Sequence, residues 1–479
     1  MTSIVLFRQD LRVDDHGPLI AAAERGPVMP LFIWSPEEEG AWAPGGASRW
    51  WLHHSLAWLA KRLESMGSRL ILRSGPVVEA LREVARACDA REVHCERRYE
   101  PFVDDERLAA TLAHDGITLV RHEGALLYPL DDLRTGSGRP YQVYTPFSKA
   151  LKLQEQPARP RAAPALVAPP RWPTSESLDA WKLLPEIPWD GGLRSHWTPG
   201  GEGAAALLKR FLGDPIERYA EDRERPDIDG SSRLSPHLHV GEISVRRVWH
   251  TVGDAIRRRN DADFTKHAEK FRSEVLWREF GYNILLHFPH TDLQPLRAEY
   301  AMFPWTEDPA SLRAWKRGRT GYPIVDAGMR QLWHTGWMHN RVRMIVASFL
   351  VKHLLLPWQE GAKWFWETLV DADLANNSLG WQWSAGSGAD AAPYFRIFNP
   401  ILQGEKFDPD GAYVRRWVPE LARVPSAWIH KPWEAPPLTL AGAGVELGLH
   451  YPKPIVDHGF ARDRALEALA ALSLLKEEA

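Results

Sequence analysis

At 479 residues, with 44% hydrophobic and 25% charged side chains, the chain has a soluble globular composition and the length for two or three domains. A net charge of −3 argues against a globally basic nucleic-acid binder but leaves room for a local basic face. Two cysteines, Cys88 and Cys95, exclude a disulfide framework or a Cys/His metal cluster and fit a reducing cytoplasm. No apolar run reaches the roughly 18 residues of a membrane span, and the N-terminus enters Ser3-Ile-Val-Leu-Phe7 without a secretory leader, so a cytoplasmic protein is expected.

Residues 4–7, 28–34, 70–73, 92–96 and 117–121 read as short buried strands, and helical patterns such as 48–65 and 77–87 lie between them. This alternation predicts a doubly wound parallel sheet over residues 1–131. No GxGxxG follows the first strand, so the ordinary dinucleotide site is not expected, although a nucleotide or pterin can bind at the strands' carboxyl ends. Prolines from 157 to 188 make regular structure improbable in 132–202, which reads as a linker. From residue 203 the pattern is helical (204–212, 245–258, 265–286, 323–335, 342–356), with a terminal helix over 457–479. The fold class is thus α/β followed by an all-helical domain, 203–479.

Four segments carry candidate chemistry. In Asp229-Gly-Ser-Ser-Arg-Leu-Ser235, hydroxyls and an arginine gather before a proline, as an anion cradle or an ordinary helix cap. On the helix through Phe271–Phe280, Glu274, Trp277 and Arg278 stand at i, i+3 and i+4, so one face carries an acid, an indole and a guanidinium. The same spacing suits an amphipathic surface helix with an ion pair. In Gly336-Trp-Met-His-Asn-Arg-Val-Arg-Met344, Asn340 and Met344 share a face while Arg341 and Arg343 point elsewhere. Between Ser311 and Lys352, eight Lys/Arg face one acid, Asp326, with tryptophans interleaved. That pattern suits a nucleic-acid backbone beside unstacked bases, or a solvated charged face. Finally, Asp371 to Pro400 packs acids, paired amides, Trp381, Trp383 and Arg396 into thirty residues. The chain holds 23 Trp in all, with no repeat to account for them. Such a mixture suits a pocket for a planar polar cofactor better than a core.

Together with Phe7-Arg-Gln-Asp-Leu-Arg12-Val-Asp-Asp near the N-terminus, these segments resemble the photolyase/cryptochrome family of blue-light flavoproteins over nearly the whole chain. The resemblance implies FAD in the helical domain. Tyr219, Ser231, Ser232, Arg233, Leu234 and Ser235 would hold its phosphates, and Arg278 would reach it from the helix of Glu274. Arg343 and Asp371 would pair beside the isoalloxazine, Asp373 would contact it, and Asn377 would face N5. Plant cryptochromes usually carry Asp at that last position, so Asn377 argues for repair from fully reduced flavin.

The resemblance further implies a substrate, ultraviolet-damaged DNA containing cyclobutane pyrimidine dimers, and a carbon–carbon lyase reaction. Excited reduced FAD would give an electron to a flipped-out dimer, the ring would split, and the electron would return. Glu274, Trp277, Asn340, Met344 and Trp383 would contact the dimer. Relatives that repair 6-4 photoproducts place His in the segment of Asn340, and plant cryptochromes usually replace the position of Trp383 by Tyr. Trp381, Trp358 and Trp305 match the family's electron-transfer chain, whereas Trp364 and Trp366 read as core. Arg223, Arg341 and Arg396 match positions that meet DNA phosphates. Residues 34–40 and 48–52 resemble the bacterial branch nearest plant cryptochromes, which suggests 5,10-methenyltetrahydrofolate as antenna, with 8-hydroxy-5-deazaflavin as the alternative. Leu6 departs from the Trp of many relatives and touches nothing catalytic.

A cryptochrome-type photoreceptor signalling through a protein partner is the rival reading. It calls for a C-terminal tail, and the stretch after Phe407-Asp-Pro-Asp-Gly411 reads as domain closure. A flavin redox enzyme would call for a nicotinamide fingerprint, which does not occur. A monomer is expected.

Overall fold

A computed structural model describes residues 1–391, 393–394 and 396–478, the side chains of 475–478 excepted; Ala392 and Phe395 of the Asp390–Pro400 motif and the terminal Ala479 lie outside. Packing divides the chain into two compact units. One comprises Met1–Glu217, Ser232–Pro289 and Val370–Asp373, the other Arg218–Ser231, His290–Leu369 and Leu374–Ala479. These units cut the chain differently from the division at 131 and 202, which followed only the change from strand to helix patterning.

In the first unit, β1 (Thr2–Phe7), β2 (Val28–Trp34), β3 (Ile71–Ser74), β4 (Ala90–Glu96) and β5 (Thr118–His122) form a parallel sheet in the order β3-β2-β1-β4-β5. Each expected strand is present within two residues of its expected ends. Ile4 and Leu6 join a core with Met29, Leu31, Val93 and the buried face of the helix Val77–Cys88. Period-two alternation sends Val5 and Phe7 to the other face. There Phe7 stacks on His16 at 4.7 Å, and the helix Gly17–Arg25 packs on β1 and β4. Helices therefore cover both faces, as the near-continuous apolar strands require.

The strand order reverses between β1 and β4, where a doubly wound fold ordinarily binds its ligand. Here charged side chains fill the crevice. Arg8 Nη1 donates to Asp105 at 2.7 Å, Arg12 Nη2 to Glu96 at 2.6 Å, and Arg98 Nε to Glu100 at 3.1 Å. The residual cavity of about 20 Å3 has room for a water. Gly124 is forced there, because a Cβ would collide with the Glu96 carboxylate.

One helix interrupts the stretch read as linker, where regular structure was not expected. The helix Tyr144–Lys152 lies inside 132–202, with Phe147 and Leu151 buried one turn apart. Its one proline, Pro146, sits in the first turn, where the missing N–H is harmless. The proline-dense run begins only after this helix. The helix expected over 342–356 is Asn340–Ser348 continued by a π-helical turn, Phe349–His353. Among the described residues no helix is long and apolar enough to cross a membrane, and no cluster of metal-ligating side chains occurs.

The helix Ala262–His287 is the longest in the chain, and from Glu279 to Leu285 it is buried on every side. Glu279 is wholly buried. Its Oε2 accepts from Leu127 N–H at 3.0 Å, while among the described residues Oε1 lacks a hydrogen-bond partner. Burial pushes its carboxyl up to about 7, against the opposing pull of Arg278 and backbone donors. A folded-state pKa above the unfolded one means that the native state holds the extra proton. Stability is therefore full below the unfolded value near 4 and falls as pH rises through 7. Glu279→Gln is expected to abolish this slope and to leave the protein more stable than the parent at pH 8, by about 3 kcal/mol at most. Urea unfolding of both proteins from pH 4.5 to 8 checks this.

Candidate functional site

The first unit places Glu274, Trp277 and Arg278 together on the helix Ala262–His287, which Asp261 caps by accepting from Phe264 N–H at 2.7 Å. Their environments diverge. Glu274 is half-buried and pairs with Lys270 at 3.1 Å, one turn away. Trp277 has one ring face covered by Tyr144, with centroids 3.8 Å apart and planes within 6°. The Tyr144 hydroxyl donates to the Ser273 carbonyl at 2.7 Å, which locks the stack. Arg278 turns inward, donates to the Ala125 carbonyl at 2.8 Å, and lies 4.9 Å from the Tyr282 ring.

Asp373 is buried beside these groups. Its Oδ2 accepts from Tyr282 Oη at 2.5 Å, and His239 Nδ1 lies 3.9 Å away. Burial alone would raise this carboxyl; His239, Arg278 and Tyr282 outweigh that and hold it well below the usual carboxylate range. Asp371 is buried as well. In the cradle segment, Arg233 adopts a left-handed φ of 55°, Ser232 Oγ accepts from Leu234 N–H at 3.4 Å, and Ser235 opens the short helix Ser235–His239. Sequence reading missed Tyr144, Tyr282 and His239. Tyr282 was accessible to it, because it follows Arg278 by one turn on the same face. Tyr144 was hidden in the stretch taken for linker.

The second unit holds the remaining candidates. Asn340 and Met344 do share a face, with Asn340 Nδ2 3.9 Å from the Met344 sulfur. Arg341 forms an ion pair with Glu224 and lies 4.5 Å from the Phe407 ring. Arg343 Nε donates to the Met338 carbonyl at 2.8 Å. Tyr219 is buried, and Arg223 lies 5.8 Å from its ring and 3.6 Å from Glu224. Ser231 lies in the loop that follows them, and Arg396 is exposed. Asn377 Nδ2 donates to the Ala362 carbonyl at 3.1 Å, which leaves Oδ1 as an acceptor. Trp383 is half-buried.

Trp381, on the helix Leu374–Ala385, packs over Gly361 of the helix Trp358–Thr368, whose first residue is the buried Trp358. Phe365 and Trp315 meet the Trp381 ring edge-on at 5.0 and 6.1 Å. Trp305 packs on Phe303 at 4.4 Å. Trp364 and Trp366 are half-buried, which corrects their reading as core: both lie on a helix whose buried face is formed by Trp358, Gly361, Ala362 and Phe365. Trp315 is the ring that belongs to the core. It is fully buried and donates to the Val346 carbonyl at 3.0 Å.

Two features of the second unit fit a bound flavin. Among the described residues the Trp381 indole N–H and the Ser378 hydroxyl are buried without a partner, on the helix that carries Asn377. Orphaned buried donors are rare in native proteins and point to a missing acceptor. The Asn377 Oδ1 would accept the N5–H that a reduced isoalloxazine presents.

Residues 3–166 match the family described as DNA photolyase, and residues 271–471 match the FAD binding domain of DNA photolyase. The chain is 52% identical over 474 residues to the deoxyribodipyrimidine photo-lyase of Agrobacterium fabrum, covering 98% of both proteins. It is 40% identical over 484 residues to cryptochrome-1 of Arabidopsis thaliana, covering 98% of this chain and 70% of that one. Among solved structures, a bacterial class III photolyase from Agrobacterium tumefaciens shares 51% identity with a TM-score of 0.95, covering 98% of each chain. The protein is therefore a flavoprotein with a parallel-sheet domain ahead of an FAD-binding domain. It belongs to the photolyase/cryptochrome family.

A Cβ on Gly361 would overlap the benzenoid ring of Trp381. Alanine gains about 1 kcal/mol in helix propensity, but overpacking costs about 1–3 kcal/mol, so the collision decides the sign. Gly361→Ala is expected to lower the unfolding midpoint and to slow light-driven reduction of bound FAD. Thermal unfolding and flavin absorbance under blue light measure the two effects.

Proposed function

We propose that the chain is a light-dependent DNA-repair enzyme acting on cyclobutane pyrimidine dimers. The observation that carries the substrate assignment is the face of the helix Ala262–His287. One ring face of Trp277 is already covered by Tyr144, so the indole has a single face to offer, and the Glu274 carboxylate stands one turn away. A flipped-out pyrimidine pair needs an apolar platform and an acceptor for its ring N–H, and a cyclobutane dimer pairs weakly enough in the duplex to be extruded.

FAD, when bound and reduced, supplies the light absorption and the electron that opens the cyclobutane ring and afterwards returns. The chain's own residues position and tune. Tyr219 and the segment Ser231–Ser235 are assigned to the cofactor's phosphates; Arg278, Arg343, Asp371, Asp373 and Asn377 are assigned to its ring. Asp373, held ionised by Tyr282, Arg278 and His239, offers a fixed acceptor. Trp277 and Trp383 are assigned to stacking on the lesion, Glu274 to a pyrimidine N–H in exchange for Lys270, and Asn340 and Met344 to further lesion contacts. Arg223, Arg341 and Arg396 meet backbone phosphates, contacts that set position without sequence preference. Trp381, Trp358 and Trp305 pass electrons inward to restore the reduced flavin.

The antenna is assigned to residues 1–131 and 5,10-methenyltetrahydrofolate, with 8-hydroxy-5-deazaflavin as the alternative. At the carboxyl end of β2, the rings of Trp34 and Trp181 lie 6.3 Å apart with planes within 24°, and Trp181 Nε1 donates to Glu176 at 2.7 Å. Such a pair suits a pterin better than the filled crevice at the strand-order reversal. We assign 132–202 to the interdomain linker, 203–479 to the helical domain, and the whole to a cytoplasmic monomer. The 40% identity to a plant cryptochrome favours photoreception as the second reading. Asn377 and Trp383 favour repair.

Blue light on the reduced protein with thymine-dimer DNA is expected to restore thymine absorbance, with no change in darkness. Loss of one charge-assisted hydrogen bond in Glu274→Ala, or of the stacking platform in Trp277→Ala, should weaken lesion binding about tenfold to a hundredfold. Full repair by both variants would remove these residues from the site; absence of repair by the parent would leave photoreception. Trp358→Phe is expected to repair normally after chemical reduction of FAD while losing light-driven reduction, as followed by flavin absorbance.

A further inference from the structure

The basic, tryptophan-rich stretch 311–352 is only partly absorbed by DNA contacts. Lys316, Arg317 and Arg330 line a surface cavity of about 750 Å3 in the second unit, and Arg416 joins them from the helix Ala412–Trp417. Among the described residues no acidic side chain lines it. Arg330 is committed, with Nη1 donating to Glu420 at 3.0 Å and Nε to the Gly318 carbonyl at 3.0 Å. Arg317 and Arg416 are exposed and, among the described residues, have no acidic partner.

Aromatic faces complete the cavity. Trp333 is 58% exposed, an extreme value for so large a side chain in this protein. Its ring runs parallel to that of Trp364, within 4° at 5.9 Å, and the Lys316 ammonium lies 5.3 Å from the Trp364 ring. Trp364 therefore has its neighbours, whereas Trp333 ends the stack with bare surface toward solvent. Exposed apolar surface rimmed by charge marks binding sites, and the volume falls in the range of small-ligand pockets. None of the residues assigned to FAD, the lesion or the antenna lines this cavity.

We propose that this cavity is a binding site for a nucleoside diphosphate, with the planar heterocycle continuing the Trp364–Trp333 stack and the phosphates on Arg317 and Arg416. Indoles accept any heterocycle face, and guanidinium groups fork onto phosphate oxygens. Without an acid in the lining, cations are repelled and a ligand of two or more negative charges is favoured over a neutral nucleoside. The reading does not depend on the lesion chemistry.

Calorimetric titration of the FAD-loaded protein, dialysed free of excess FAD, with ADP in low salt tests it. One ADP per chain is expected, with adenosine and pyrophosphate each binding at least about tenfold more weakly, since each keeps only half of the contacts. Trp333→Ala and the double variant Arg317→Glu/Arg416→Glu should each weaken ADP about tenfold or more, with FAD content and dimer repair unchanged. No ADP binding, ADP binding that survives both variants, or pyrophosphate binding as tight as ADP would each overturn the proposal.

Discussion

A carboxylate that leaves water stays ionised only where cations and hydrogen-bond donors replace the solvent. Asp373 meets that condition through Tyr282, His239 and Arg278, three groups in the same unit. Two of them come from one helix, Ala262–His287, which must be buried to reach the aspartate and must still carry Glu274 and Trp277 to the surface. That double demand explains why the helix is buried all round over Glu279–Leu285 yet half-exposed one turn earlier. Glu279 is the weak point of the arrangement. It shares the buried turn but, among the described residues, leaves Oε1 without a hydrogen bond and has a cation 3.6 Å off, so it keeps its proton into neutral pH.

The same principle decides where a ligand can enter the parallel-sheet domain. The reversal between β1 and β4 is the position where such sheets leave a crevice, but the ion pairs of Arg8, Arg12 and Arg98 occupy it. Those arginines follow β1 and β4 within five residues, in the loops where a phosphate-binding fold would have glycines. The missing glycine fingerprint and the closed crevice are one fact seen twice. The stacked Trp34–Trp181 pair at β2 lies at that end of the sheet and is where we propose a flat chromophore.

Tryptophans occupy three settings here, distinguished by burial. Trp315 and Trp358 are sealed, Trp277 and Trp383 are half-open, and Trp333 stands out in solvent beside Arg317 and Arg416, which among the described residues have no acidic partner. One residue type gives rigid π-surface in each setting; the neighbouring charges decide whether that surface packs or, as we propose, stacks on a lesion or a nucleotide.

The local patterns were written in the sequence because they depend on spacing alone. The five strands, the Glu274/Trp277/Arg278 face, the Asn340/Met344 pair and the family motifs all follow from periodicities of two and 3.6, or from residues adjacent in the chain. Only the tertiary structure could show that Tyr144 covers one face of Trp277, that Tyr282 and His239 hold Asp373, and that Arg341 is paired with Glu224. It alone placed Arg416 beside Trp333 and Trp364, and moved Trp364 out of the core. Each of these joins residues tens to more than a hundred positions apart, and burial and charge pairing at such distances are set by how helices pack, which no local period encodes.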